Sequence, residues 1–327
     1  GTCFTVVPRC LLANIDAFGA IAQIKIKNIN ANGYYISLNN YTNSIFISIG
    51  DAAHAIDSFD FSELSNILVI GYLKTPINIT NSRHFIFNNI VTRDQAGGIN
   101  IAALYSAFCG DFIFNNCEFQ GKVSNPPLEL TAYNDSGVGT ASLRGIKFND
   151  CVIYGSGSKI NCSTAGAIGD LWFNSIAFDV GSASEKCLYI YTATGSSLFN
   201  VIFDNLYLVN YTNTAIEIQA DMPNSTNSIQ FNGGQISLIT ATSVIKCTNI
   251  NDITITGVSF NGITATNIIE DNGGNIIKIN NCTSNSTVTN FIKSSNTSNY
   301  LFTNNAYKGV INISGGSGSS VNNLLLV

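Results

Sequence analysis

Charge is scarce in this chain: of 327 residues only 15 are lysine or arginine and 20 aspartate or glutamate, together 11%. A formal net charge of −5 and a pI near 4.9 leave no basic stripe for a phosphate backbone, so nucleic acid is not expected as a partner. Only five prolines and few helix start or stop signals interrupt the chain. No run of about eighteen apolar residues occurs, so no membrane span is predicted. With two histidines, His54 and His84, and no Cys-x-x-Cys pair, the usual ligand spacing of a zinc site is missing, and neither metal nor cofactor is expected.

What the chain does contain is repetition. Ten short segments place an outward residue after an apolar one, in eight of them with a second apolar residue following, at intervals of 19 to 32 residues between Asn78 and Asn312. Their outward column reads Asn78, Asn100, Glu129, Asn161, Tyr189, Glu217, Lys246, Glu270, Lys293 and Asn312. Periods of that length are the coils of a solenoid. A second repeat runs in phase: FIFNNI (85–90), FIFNNC (112–117), IKFNDC (146–151), LWFNSI (171–176), VIFDNL (201–206), IQFNGG (229–234), ITITGV (253–258), IKINNC (277–282) and LFTNNA (301–306). Its fourth column is Asn88, Asn115, Asn149, Asn174, Asp204, Asn232, Thr256, Asn280 and Asn304. Asparagine tolerates a left-handed backbone, and its amide can bond to its copy one coil away, about 4.8 Å along the axis. The column therefore predicts an asparagine ladder at a sharp turn. Inward residues resume after the turn, so each coil carries three short strands around apolar columns.

These features resemble the right-handed parallel β-helices of the pectin-lyase-like superfamily. NDITITGVSF (251–260) and NILVIGYL (66–73) look like its usual coil sequence, and ANIDAFGAIA (13–22) resembles the segment with which many members open. The resemblance implies an all-β fold, a single right-handed parallel β-helix of roughly ten to thirteen coils. It also divides the chain into a cap at 1–23, the helix at 24–314, and a Gly/Ser hinge with an apolar tail at 315–327. That superfamily includes lyases, glycosidases, tailspikes, adhesins and inert structural proteins, so fold alone selects no function. The paired aspartates and Gly-His-Gly of its glycosidases are missing, as is the arginine and acidic cluster of its calcium-dependent lyases.

Several residue sets carry candidate chemistry. Glu217 and Glu270 stand two coils apart, about 9.6 Å, near the separation of glycosidase carboxylates. With Lys246 between them and Lys293 beyond, they equally read as a ladder of opposite charges that fixes register. Glu129, Tyr189 and Glu217 are the candidate ligand contacts on that face. His84 and Asp111 fall in one column on adjacent coils, as a structural ion pair or as a general base with its orienting carboxylate. The stretch 51–63, with Asp51, His54, Asp57, Asp60 and Glu63, reads as a solvated loop or a cation or sugar site.

Of nine cysteines, Cys117, Cys151, Cys162, Cys247 and Cys282 fall in inward columns and behave as small hydrophobes. Cys3 and Cys10, outside the repeat, are the candidates for a local disulfide. Ile86, Ile113, Trp172 and Ile202 form an apolar stripe on an outward column, which a loop or another chain must cover. Leu324, Leu325 and Leu326 either add to a neighbouring subunit or fold over the last coil. The resulting expectation is a structural and adhesive β-helix, extracellular or on a cell or virion surface, assembling as a homo-oligomer, filament, spike or sheath. The alternatives are a polysaccharide hydrolase or lyase and a non-catalytic adhesin that binds surface glycans.

Overall fold

A computed structural model describes residues 13–15, 19–21, 25–32, 47–49, 56–70 and 77–326, apart from 94–97, 106, 122–125, 135–138, 156, 184–185, 223–225, 275, 296–298 and 315–316. Cys3, Cys10, Asp51 and His54 lie outside the described residues. No α-helix occurs among the described residues, and every strand pairing is parallel. The chain winds as a right-handed parallel β-helix. Its first strands form twelve successive partners, from Ala13–Ile15 to Val310–Ser314.

The alternation F-x-F-N produces the second strand because a period of two buries both phenylalanines and turns the intervening residue outward. Phe87, Phe114, Phe148, Phe173, Phe203 and Phe231 stack through the core on successive coils. Their ring centroids are 4.4, 4.7, 5.1, 4.5 and 4.9 Å apart and nearly coplanar in orientation, at 3° to 9°. The coil spacing thus imposes face-to-face ring contact, and all six side chains are buried.

At the end of this strand the ladder forms. Asn115 Nδ2 donates to Asn88 Oδ1 at 2.9 Å, Asn149 to Asn115 at 2.8 Å, Asn174 to Asn149 at 2.7 Å, and Asn232 to Asp204 at 2.9 Å. The ladder residue itself keeps strand conformation; the left-handed position is the next residue. Asn89, Asn116, Asp150, Ser175, Asn205, Asn281 and Asn304 all have φ between 52° and 55°. Glycine takes the position at Gly233 and Gly257. Two adjacent columns therefore divide the work expected of one: the first bonds coil to coil, the second turns the chain.

The register corrects three sequence assignments. Thr303, not Asn304, is the ladder residue above Asn280, to which its hydroxyl donates at 2.6 Å. Phe302 consequently faces inward and is fully buried, while Leu301 takes the outward place assigned to it. The doubled asparagine hides this phase, because Asn305 turns into the core and satisfies itself on backbone there, accepting from Cys282 N at 2.9 Å and donating to Ile279 O at 2.9 Å. In the first strand, Glu129 pairs with Lys159 and Lys159 with Tyr189, so Lys159 replaces Asn161 in the outward column.

The terminal segments are placed as follows. Ala13–Ile15 and Gly19–Ile21 pair in parallel with Ile47–Ile49 and with the start of Ile56–Ile70. At the other end, Ser317–Val321 pairs with Asn299–Thr303, and Leu324–Leu325 with Ala306–Tyr307, adding strands to the stack. The seven described cysteines are free and buried. Burial pushes the thiols of Cys109 and Cys162 up to about 12 and that of Cys282 up to about 11, which keeps them protonated and unreactive.

Candidate functional site

Two outward faces carry the candidate residues. On the first-strand face, the corrected column runs Glu129, Lys159, Tyr189, Glu217, Lys246, Glu270 and Lys293. Glu217 is held by Lys186 and by Lys246, the latter at 3.9 Å. Glu270 lies 3.9 Å from Lys293 and accepts hydrogen bonds from Ser243, from Asn267 at 3.3 Å and from Asn272 at 3.4 Å. Partial burial pulls its carboxyl upward, but the Ser243 and Asn272 bonds with Lys293 and Lys246 outweigh it and leave the pKa below 4.5. A carboxyl so stabilised as the anion is a poor proton donor at neutral pH, which is the wrong state for a glycosidase acid.

Linkage then gives a test. A depressed folded pKa means that Glu270 stabilises the protein above its unfolded pKa, and that this stability is lost as pH falls through the lower folded value. Melting temperatures of wild type and Glu270→Gln are expected to differ at pH 7 and to converge as the pH falls below 4.5. A constant difference across that range rules out the anionic role.

Tyr189 and Tyr191 stack on the same face, 6.1 Å apart, and Lys186 lies over the Tyr189 ring at 4.5 Å. Tyr191 donates to Asp221 at 2.6 Å and Tyr189 to Gln219 at 3.2 Å, which pins both rings. The Asp221 bond raises the Tyr191 phenol to about 12. Tyr189 and Glu217 are thus consecutive in one column, Glu129 is separated from them by Lys159, and Glu217 and Tyr189 are already engaged.

The second face lies where the chain bends into the second strand. His84, Asp111, Gly145, Asp170, Asn200 and Ser228 occupy this bend with φ between 52° and 71°. His84 Nε2 stands 3.5 Å from Asp111 Oδ2, as the shared column predicts, and Asn200 donates to Asp170 Oδ1 at 2.7 Å. On the coil between the two carboxylates, the place that a side chain at Gly145 would take is filled by the Asp111 carboxylate. A Cβ there would lie 2.5 Å from Asp111 Oδ1, so the Asp111 side chain lies across the glycine.

Around this point opens a groove of about 470 Å³, walled by Phe108, Ile113, Arg144, Lys147 and Trp172 together with the two aspartates. Its cations lean on rings: Arg144 over Phe199 at 4.7 Å and Lys147 over Trp172 at 5.1 Å. The apolar stripe is therefore not continuous, since Lys147 stands between Ile113 and Trp172 in the register, and all four stripe residues are only half-buried. Column reading brings His84, Asp111 and Asp170 together but misses Arg144 and Phe108 as groove residues. They belong to different columns, and only the left-handed bend, which breaks strict alternation, turns them to one side. Among the described residues no cluster of three or more metal-type ligands occurs.

The architecture and the ladder define a parallel β-helix protein. No protein-family model and no curated protein matches the chain.

Proposed function

We propose that the chain is a non-catalytic, structural and adhesive member of the pectin-lyase-like β-helices, working outside the cell or on a virion surface as a subunit of a filament, spike or sheath. The observation that carries this reading is the state of Glu217 and Glu270. Both outward carboxylates that stand at near-glycosidase spacing are consumed by coil-to-coil pairing with Lys186, Lys246 and Lys293. Such pairing serves register rather than proton transfer. The continuous buried core makes the body rigid, and the exposed Val310, Val321, Leu324 and Leu325 support association with further copies.

Incubation with pectin, alginate and other common polysaccharides is expected to release neither reducing ends nor unsaturated products. Cleavage that disappears in Glu217→Gln or Glu270→Gln overturns the non-catalytic reading. Light scattering that finds only monomer at high concentration removes the assembly part.

A further inference from the structure

We propose that the groove at the second bend binds a neutral, polyhydroxylated saccharide, with Trp172 as the stacking surface and Asp111, Asp170 and Arg144 as the hydrogen-bonding rim. The proposal rests on the non-catalytic, adhesive reading above and names where and what the adhesive surface holds. It lies on the second-strand face, away from the column of Glu217 and Glu270.

Three features point to that ligand. The first is a carboxylate placed by sequence: the absence of a side chain at Gly145 lets the Asp111 carboxylate lie across the coil between Asp111 and Asp170, and the left-handed φ of 71° favours glycine there for backbone reasons as well. A pocket of about 470 Å³ is within the usual range for small ligands.

The second is unspent hydrogen-bonding capacity of both kinds. Among the described residues neither Arg144 nor Lys147 forms an ion pair with Asp111 or Asp170, and Arg144 Nε is buried with no hydrogen-bond partner. Elsewhere the same fork is filled: Arg93 Nε and Nη2 donate to the two Glu118 oxygens at 2.9 and 3.1 Å. Two acceptor-only carboxylates beside two donor-only cations ask for a ligand whose groups donate and accept at once, which hydroxyls do. The lining residues carry two charges of each sign, and Arg83 over the Phe108 ring at 5.0 Å adds one more cation nearby, which makes a polyanion the control ligand.

The third is the half-buried Trp172 at the rim, whose ring can take the C–H face of a sugar ring. Lys147, which now covers it, is exposed on a flexible stem and can swing away, since a cation over a ring at an exposed site is held only loosely.

The experiment is calorimetric titration of the whole chain with neutral hexasaccharides of glucose, xylose and N-acetylglucosamine, and with an oligogalacturonate as the polyanion. Binding of at least one neutral sugar is expected, with little change between low and high salt. Trp172→Ala and the near-isosteric Asp170→Asn are each expected to weaken it about tenfold, the loss of one good contact. Lys293→Ala, remote from the groove, is expected to bind as wild type, and melting curves confirm that each variant folds. The proposal fails if no neutral sugar binds, if only the oligogalacturonate binds and salt abolishes it, or if binding survives both groove substitutions. Absent binding with absent turnover removes the groove alone. Cleavage of a bound neutral sugar that is lost in Asp170→Asn keeps the groove and removes the non-catalytic reading.

Discussion

Replacing Phe148 by alanine is expected to destabilise the protein by about 3 to 5 kcal/mol, the usual cost of emptying a buried aromatic site. Phe148 sits mid-stack, 4.7 Å from Phe114 and 5.1 Å from Phe173, and has no exposed surface. In a globular core neighbouring side chains move into such a hole. Here the neighbours are fixed by the coil spacing, because Ile146–Asn149 is paired on both sides, with Phe112–Asn115 and Leu171–Asn174. Collapse along the axis would break those ladders, so the cavity remains. Urea unfolding measures the loss, and Phe148→Leu, which refills most of the volume, is expected to recover the larger part of it. A Phe148→Ala loss below about 1 kcal/mol would mean that the coils close over the gap, contrary to a stack held rigid by its backbone.

The same rigidity explains what the amino-acid order reveals and what it hides. Wherever the chain obeys strict alternation, as in FIFNN (85–89) and FIFNN (112–116), the pattern alone predicts the inward rings, the ladder and the partners on the next coil. Phase is lost where two readings satisfy the pattern equally. SKINC (158–162) offers Lys159 or Asn161 as the outward residue, and only pairing with Glu129 and Tyr189 selects Lys159. The doubled asparagine at 304–305 conceals a one-residue shift for the same reason, and it is resolved by the burial of Phe302 and Asn305. The groove was half legible. His84 and Asp111 share a column, so their contact follows from period and spacing. Arg144 and Phe108 reach it from outside that column, at a left-handed bend that has no single residue signature, being built of His, Asp, Gly, Asn and Ser in turn. The bend column itself, from His84 to Ser228, follows from the repeat; the side chains that close on it from outside do not.

The ladder column and the turn column are expected to fail for different reasons, and a pair of substitutions separates them. Asn149 donates to Asn115 Oδ1 at 2.8 Å and accepts from Asn174 Nδ2 at 2.7 Å, while its backbone is ordinary strand. Asn149→Val therefore fits the strand without strain and removes both amide bonds, leaving a half-buried donor and acceptor unpaired on the neighbouring coils. The expected cost is about 1 to 3 kcal/mol. Asp150 is exposed and carries φ of 52°, a conformation that a β-branched side chain resists. Asp150→Val is expected to cost about 1 to 3 kcal/mol through backbone strain alone. Glycine distinguishes the two positions. Asp150→Gly relieves the left-handed strain and is expected to stay within about 1 kcal/mol of wild type, whereas Asn149→Gly loses the same two bonds as valine and adds the flexibility penalty of glycine in a strand. Urea melts of the four variants decide the matter. If glycine is tolerated at 149 and not at 150, the turn belongs to the ladder residue after all, and the division of labour between the two columns is wrong.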